Sequence, residues 1–144
     1  MTRVSESMVS LRILGDDLRP EEITALFEVE PSLSCCKGDL LSSRGGKEYR
    51  RSRGMWSLSA ELHKPENVAA QVAELLSRLP DDLSLWSTLV SRFEIVLFCG
   101  LFMNEANEGL SLDAGTLRAL AERGIALDLD LYGPADSRRS LPPG

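Results

Sequence analysis

Apolar and polar residues alternate along three segments of the chain, residues 8–14, 55–62 and 125–132. Such alternation is typical of strands with one solvated face. A fourth segment, residues 93–102, is almost entirely apolar, and we predict that it forms a central strand. Trp56 is in phase with the apolar positions of its strand, so we expect it in the core. These patterns together predict a four-stranded sheet.

Two helices are predicted between the second and the third of these strands. The first begins at Pro65 and ends at Pro80, and its apolar positions follow helical spacing: Val68, Val72, Leu75, Leu76 and Leu79. The second follows Asp81 or Asp82, either of which can cap it. It is expected to bury Leu83, Trp86, Leu89 and Val90.

Two further helical segments share one sequence pattern. Residues 18–28 and residues 112–122 both read Leu, four residues, Ile or Leu, one residue, Ala-Leu, one residue, Glu. Pro20 suits the first turn of the earlier helix, and Gly124 ends the later one. Because each segment follows a strand-like run, we predict two similar strand–helix halves around one core.

The polar faces of three strands favour helices on one side of the sheet and solvent on the other. We therefore predict an α+β fold with a four-stranded, mostly antiparallel sheet. Its pseudo-duplicated halves are ferredoxin-like, with a helical pair inserted between them. A three-layer fold is the alternative. The predicted organisation is a flexible N-terminus (residues 1–7), one α+β domain (8–132) and a disordered tail (133–144).

Composition narrows the class of protein. A chain of 144 residues fits one domain, and its net charge of −6 argues against broad nucleic-acid binding. Residues 1–10 lack the apolar stretch of a signal peptide, and the longest apolar run, residues 95–103, is too short for a membrane helix. We expect a cytoplasmic protein with no membrane partner. The odd number of cysteines agrees with a cytoplasmic location.

Residues 37–53 are the best candidates for binding, because this segment contains six basic residues and only two acidic ones. We interpret this segment as a mobile loop or an irregular hairpin. Its predicted binding residues are Arg44, Lys47, Tyr49, Arg50, Arg51 and Arg53. The cations could meet phosphate, an acidic protein or RNA, and Tyr49 could stack on a base. The alternative is a solvated hairpin without a partner.

Asp128 and Asp130 lie two residues apart on a predicted strand, so both point to the same face. We include them among the candidate binding residues. They could form a metal-binding or acid/base cluster with Asp16, Asp17, Glu105 or Glu108. The alternative is a pair of solvated carboxylates. No ligand spacing supports a metal, and we predict neither a metal nor a cofactor.

Cys35 and Cys36 are the main candidates for catalysis. They lack the Cys-x-x-Cys spacing of a redox motif, and His63 is the only histidine that could activate a thiol. Cys99 lies in the most apolar run and is expected to be a small buried hydrophobe. A Gly-rich phosphate loop and a serine triad are not recognisable. We therefore predict no catalytic residues.

Several segments in this order resemble a bacterial family known only as a domain of unknown function. They are Ser10 to Leu18, Pro20 to Thr24, Pro31-Ser32 with Lys37-Gly38, Gly54 to Leu58, and Leu127 to Tyr132. The resemblance covers residues 9–132 and implies a small stand-alone bacterial protein with an α+β fold. It brings no established activity. Residues 28–30 read Glu-Val-Glu, where such a sequence more often reads Leu-Gly-Ile.

These observations favour a non-enzymatic protein that binds a macromolecule, with an unidentified protein as the expected partner and nucleic acid not expected. A small acidic α+β domain is a reasonable form for an immunity or inhibitor protein, since acidity suits a basic target. The alternative is a small-molecule or nucleotide-binding module that uses the sheet face and the basic loop. It predicts a concave pocket near Arg50, Arg53 and Asp128. The sequence does not set the oligomeric state.

Overall fold

The computed structural model describes residues 2–134. It has four helices and seven strands in the described part of the chain. Their order is β1 Glu6–Gly15, α1 Pro20–Phe27, β2 Leu33–Cys35, β3 Leu40–Ser42, β4 Glu48–Arg50, β5 Gly54–Ser59, α2 Val68–Ser77, α3 Leu83–Arg92, β6 Glu94–Phe102, α4 Ala114–Glu122 and β7 Ala126–Tyr132. The α+β class and the helical pair before β6 agree with the prediction.

Five strands form a mixed sheet in the order β2-β5-β1-β6-β7, and β3 and β4 form a separate two-stranded sheet. Strand β1 lies at the centre and pairs antiparallel with β5 and β6. Strand β2 pairs antiparallel with β5, whereas β7 pairs parallel with β6. The sheet is thus antiparallel except at its β7 edge.

The predicted four-stranded, ferredoxin-like sheet differs from this arrangement in two respects. Strand β2 adds a fifth strand, and its three residues are too few to show an alternating pattern. In a split β-α-β unit, another strand separates the two strands that a helix joins. Here β1 and β5 are direct antiparallel neighbours, and β6 and β7 are direct parallel neighbours. The two halves are therefore not equivalent.

The helices cover one face of the sheet, as predicted, and form two layers rather than three. Leu11 on β1 lies opposite Leu58 on β5 and Leu97 on β6, and all three are buried. The helices complete the same cluster with Ile23, Phe27, Val68, Val72, Leu75, Trp86, Leu89 and Leu120. Side chains alternate along each strand, so Arg12 and the other even-numbered residues of β1 point away from the helices, as do their register partners on β5 and β6. We call that side the open face.

The N-terminal residues of the described chain pack against the rest of the domain. A flexible N-terminus is predicted over residues 1–7, but Val4 is buried and its N–H donates to the Gly109 carbonyl over 3.0 Å. Arg3 pairs with Glu66, with 3.2 Å between Nε and Oε1.

The predicted disordered tail comprises residues 133–144, and positions 135–144 of it lie outside the described residues. None of the helices within residues 2–134 has the length and apolar character that crossing a membrane requires.

Candidate functional site

Residues 37–53, which we call the basic hairpin, extend the β2–β5 connection away from the main sheet. Strands β3 and β4 pair only with each other, through Leu40 with Arg50 and Leu41 with Tyr49. The Ser43 N–H donates to the Lys47 carbonyl over 2.8 Å and closes the connecting turn. All residues of these two strands except Leu41 are exposed. A regular ribbon thus replaces the predicted loop or irregular hairpin.

The charges of the basic hairpin fall into two groups. At its base, Lys37 pairs with Asp16 over 3.4 Å, and Arg53 pairs with Glu94 over 2.8 Å. Arg44 and Lys47 lie in the turn and are exposed, and no carboxylate among residues 2–134 lies within 4 Å of either cation. The ion pairs at the base are exposed and contribute little stability, but they neutralise two of the cations, whereas the tip presents unpaired positive charge.

Apolar side chains accompany this charge on the basic hairpin. Leu40 is 52% exposed and Tyr49 is 44% exposed. The Arg50 guanidinium donates to the Gly38 carbonyl over 3.0 Å, which holds it along the ribbon. Exposed aromatic and arginine side chains are the types enriched in protein–protein interfaces.

Arg12 occupies the middle of the open face. Its Cζ lies 3.9 Å from the centroid of the Phe98 ring, and its Nε donates to the Ser10 hydroxyl over 3.2 Å. Burial lowers the pKa of Arg12, and the charge of Arg51 adds to this effect. Arg12 was not among the residues predicted from the sequence. Alternation along β1 places it on the solvated face, but its neighbours come from other strands.

Arg51 belongs to the open face rather than to the exposed tip of the hairpin. Its Nη2 lies 3.9 Å from the Met55 sulfur, and Met55 is on the open face because it pairs with Leu14. The Arg51 Nε is buried and has no hydrogen-bond partner among the described residues. The predicted set of basic residues is therefore divided between two surfaces.

Asp128 and Asp130 share the open face on β7, as their spacing predicts. Asp128 pairs in register with Phe98, and the Asp130 carboxylate accepts a hydrogen bond from the Tyr132 hydroxyl over 2.5 Å. This bond raises the pKa of Tyr132. The Tyr132 ring stacks on Phe102 with centroids 4.7 Å apart. The two aspartates thus lie on an ordered edge strand.

The wider carboxylate cluster is not formed. Asp16 pairs with Lys37, and Glu108 accepts hydrogen bonds from the Ser5, Asn104 and Glu105 backbone N–H groups. Within residues 2–134, no group of three or more His, Cys, Asp or Glu side chains is arranged to hold a metal ion.

Cys35 and His63 lie at opposite ends of the sheet. Cys35 pairs with Met55, which pairs with Leu14, whereas His63 bridges Ser7. Leu14 and Ser7 are about 23 Å apart along β1, at about 3.3 Å per residue. A Cys35–His63 catalytic pair is therefore ruled out. Cys99 is buried in the core, as predicted, and burial raises its pKa to about 12.

Two surface cavities of residues 2–134 lie away from these charges. One of about 430 Å³ lies beside α1 and is lined by residues that include Thr24, Pro31 and Ser34. A second, of about 250 Å³, lies between Lys64 and Asn104. Neither includes Arg50, Arg53 or Asp128, where a small-molecule pocket was expected. The described surface offers a projecting ribbon instead.

The fold and these surfaces define an α+β domain with one open sheet face and a projecting basic hairpin. The chain belongs to the family described as domain of unknown function DUF4279, whose model matches residues 5–134. This confirms the resemblance to a family of unknown function. Comparisons with curated proteins and with solved structures found no match.

Proposed function

We propose that the chain is a non-enzymatic protein that binds an acidic surface of another protein through its basic hairpin. The observation that carries this proposal is the exposed tip, where Arg44 and Lys47 have no carboxylate partner among the described residues. Long cationic side chains without internal partners favour an external anion. Complementary charge raises the rate and the specificity of association.

The shape of the hairpin supports a protein partner rather than a small molecule. Small-molecule sites are usually concave, whereas β3 and β4 project from the sheet and expose Leu40 and Tyr49. A narrow ribbon fits a cleft. The specific form of the proposal is an inhibitor or immunity protein whose basic ribbon occupies an acidic cleft of its target.

The hairpin tip provides a direct test. The purified chain is titrated by calorimetry with the purified products of neighbouring genes, at low and at moderate salt. For a product that binds, the double variant Arg44→Glu/Lys47→Glu is expected to raise Kd by at least about tenfold, since two favourable charges become repulsive. Added salt is expected to weaken the wild-type complex.

A matched control separates this effect from a change in overall charge. The variant Arg78→Glu/Arg118→Glu changes the net charge equally at exposed positions on the helical layer, and its Kd is expected to match that of the wild type. Equal weakening by both variants would contradict a role for the hairpin. Failure of every neighbouring product to bind would overturn the immunity form, and binding to single-stranded RNA alone would overturn the protein-binding proposal.

A further inference from the structure

We propose that β7 binds an extended segment of a partner protein as an additional, antiparallel strand of the main sheet. In this segment, basic residues alternate with apolar ones. The basic side chains lie opposite Asp128 and Asp130 on the open face, and the apolar side chains lie opposite Leu129 and Leu131 on the side of the helices. The proposal goes beyond the function of the basic hairpin and rests on none of the hairpin residues.

The outer edge of β7 has backbone groups that another strand can pair with. Strand β7 ends the sheet and pairs only with β6 among the described strands. The Tyr132 carbonyl accepts a hydrogen bond from the Met103 N–H over 3.0 Å, so the even-numbered residues of β7 direct their backbone groups to β6. Leu127, Leu129 and Leu131 therefore direct their N–H and C=O groups outward. Such an edge is a template for a further strand.

The side chains of β7 form one apolar and one acidic row. Leu129 is 49% exposed and Leu131 is 62% exposed. They lie on the same side of the strand as Leu127, which packs against the core. On the other side, neither Asp128 nor Asp130 has a cation within 4 Å among residues 2–134. The edge thus presents leucines that a neighbouring strand would cover and carboxylates without a cationic partner.

The backbone pattern places the two aspartates where the side chains of a partner come closest. In an antiparallel pair, hydrogen-bonded positions alternate with non-hydrogen-bonded positions, at which the Cα atoms are only about 4.5 Å apart. Leu129 and Leu131 take the hydrogen-bonded positions, so Asp128 and Asp130 take the closer ones. Asp130 accepts from Tyr132 through Oδ2, which leaves Oδ1 for a partner. Lysine or arginine is therefore favoured opposite each aspartate, because cross-strand pairs of opposite charge stabilise a sheet.

The same two positions disfavour pairing of β7 with its own copy. Leu129 is the middle residue of β7, so a two-fold pairing with full overlap is centred on it. Asp128 of each protomer then lies opposite Asp130 of the other, and like charges directly opposite are destabilising. Charged side chains on edge strands commonly prevent self-association in this way. The aspartates therefore favour a basic partner strand over a second copy.

A synthetic peptide tests the proposal by fluorescence anisotropy. The probe is a labelled Val-Lys-Val-Lys-Val segment with Gly-Ser at both ends, and the full chain should bind it more weakly as salt is added. A peptide with glutamate in place of lysine, and one with the order Val-Val-Val-Lys-Lys, should bind at least about tenfold more weakly. Absence of binding by the alternating peptide at the highest concentration reached would overturn the proposal.

Backbone methylation separates strand addition from attraction between charges alone. In the antiparallel arrangement, the valine N–H groups donate to β7 and the lysine N–H groups point away from it. N-methylation of the valines should therefore abolish binding, whereas N-methylation of the lysines should leave Kd within about twofold. Equal affinities of the two methylated peptides would show that the backbone takes no part, and the proposal would be overturned.

Variants of the chain test whether the peptide binds at β7. Asp128→Lys/Asp130→Lys should weaken the lysine peptide at least about tenfold and bind the glutamate peptide instead, since the charges are exchanged. Leu129→Pro removes an outward N–H and should abolish binding, while urea unfolding stays cooperative. The control Glu48→Lys/Asp81→Lys changes the net charge equally at exposed positions elsewhere and should bind like the wild type. Equal weakening by the two charge variants would overturn the proposal.

Two further measurements distinguish a partner strand from other occupants of this edge. Residues 135–144 lie just after β7 in the sequence and contain two arginines. Peptide binding only by a chain that lacks them would show that they occupy the edge, and a wild-type dimer abolished by Leu129→Pro would show that β7 pairs with its own copy. Either result would overturn the proposal. Arg44→Glu/Lys47→Glu should bind the peptide like the wild type, so the failure of this proposal is distinguishable from that of the basic hairpin.

Discussion

The indole N–H of Trp56 donates a hydrogen bond to the Thr24 hydroxyl over 3.0 Å. Trp56 lies on β5 and is completely buried, while Thr24 lies on α1. The Phe27 ring meets the indole edge-on, with centroids 5.3 Å apart. This bond therefore joins the first helix to the sheet, in a part of the core that is formed by aromatic rings. Trp56 is a core residue, as its position in the alternating pattern predicts.

Loss of the Thr24 acceptor should destabilise the fold. Thr24→Val keeps the size and branching of the side chain but leaves the buried indole N–H unpaired. We expect the free energy of unfolding to fall by about 1–3 kcal/mol, the usual cost of an unsatisfied buried donor. Urea unfolding followed by tryptophan fluorescence measures it. Thr24→Ser retains the hydroxyl and should cost less, so equal losses in both variants would contradict a role for the hydrogen bond.

Gln71 supports a second buried connection, between α2 and β1. Its Nε2 donates to the Ser7 carbonyl over 2.9 Å and to the Glu61 carbonyl over 2.8 Å, and its Oε1 accepts from the Ser7 hydroxyl over 2.6 Å. Gln71→Met fills similar volume but leaves these groups unpaired. We expect a loss of about 2–4 kcal/mol in the free energy of unfolding.

The double variant Ser7→Ala/Gln71→Met tests whether Gln71 acts through these hydrogen bonds. It also removes the Ser7 hydroxyl, so the combined loss should be smaller than the sum of the two single losses. Chemical denaturation of the four proteins gives the coupling energy. Strictly additive losses would show that the hydroxyl and the amide act independently.

The local pattern predicted much of the fold. Alternation placed Leu11, Ile13 and Trp56 on one buried face, and the apolar residues 93–102 became the strand beside β1. Strand pairing was harder to predict, because it depends on residues far apart in sequence. The strand–helix–strand order of β6, α4 and β7 is typical of a parallel crossover, but it does not show that the two strands are neighbours. Strand β2 has too few residues for a period.

The candidate site was predicted by residue type rather than by arrangement. The sequence marks Arg51 and Arg53 as members of one basic segment, but Arg53 pairs with Glu94 and Arg51 lies beside Met55. Arg12 was missed although its face was predicted, because its neighbour Phe98 comes from β6 and Asp128 from β7. Such a cluster exists only after the strands are ordered.

Glu28 ends α1 in the left-handed region, with φ of 56°, and its N–H donates to the Thr24 carbonyl over 2.8 Å. Glycine is preferred at this position of a helix end because it lacks a Cβ. Glu28→Gly should therefore raise the free energy of unfolding by about 0.5–1 kcal/mol. Glu30→Gly is the control, since Glu30 does not have a positive φ and the change should destabilise. In thermal unfolding, the melting temperature should rise for Glu28→Gly and fall for Glu30→Gly.

Cys99 should make the stability fall at alkaline pH. Burial raises the pKa of its thiol to about 12, whereas an unfolded thiol titrates near about 8.5. Between these values the folded chain keeps the proton that the unfolded chain releases, so ionisation stabilises the unfolded state. The contribution is intact below about pH 8.5 and is lost as pH rises, by up to about 1.4 kcal/mol per pH unit.

Cys99→Ala removes this titration and should lose stability less steeply than the wild type above about pH 8.5. Urea unfolding in reducing buffer at a series of alkaline pH values measures the two slopes, and their difference cancels the other groups that titrate there. Val9→Ala is the matched control, because Val9 is the register partner of Cys99 and its truncation leaves a cavity but keeps the thiol. Its slope should equal that of the wild type. Equal slopes for the wild type and Cys99→Ala would instead show that the thiol ionises alike in the folded and unfolded chains.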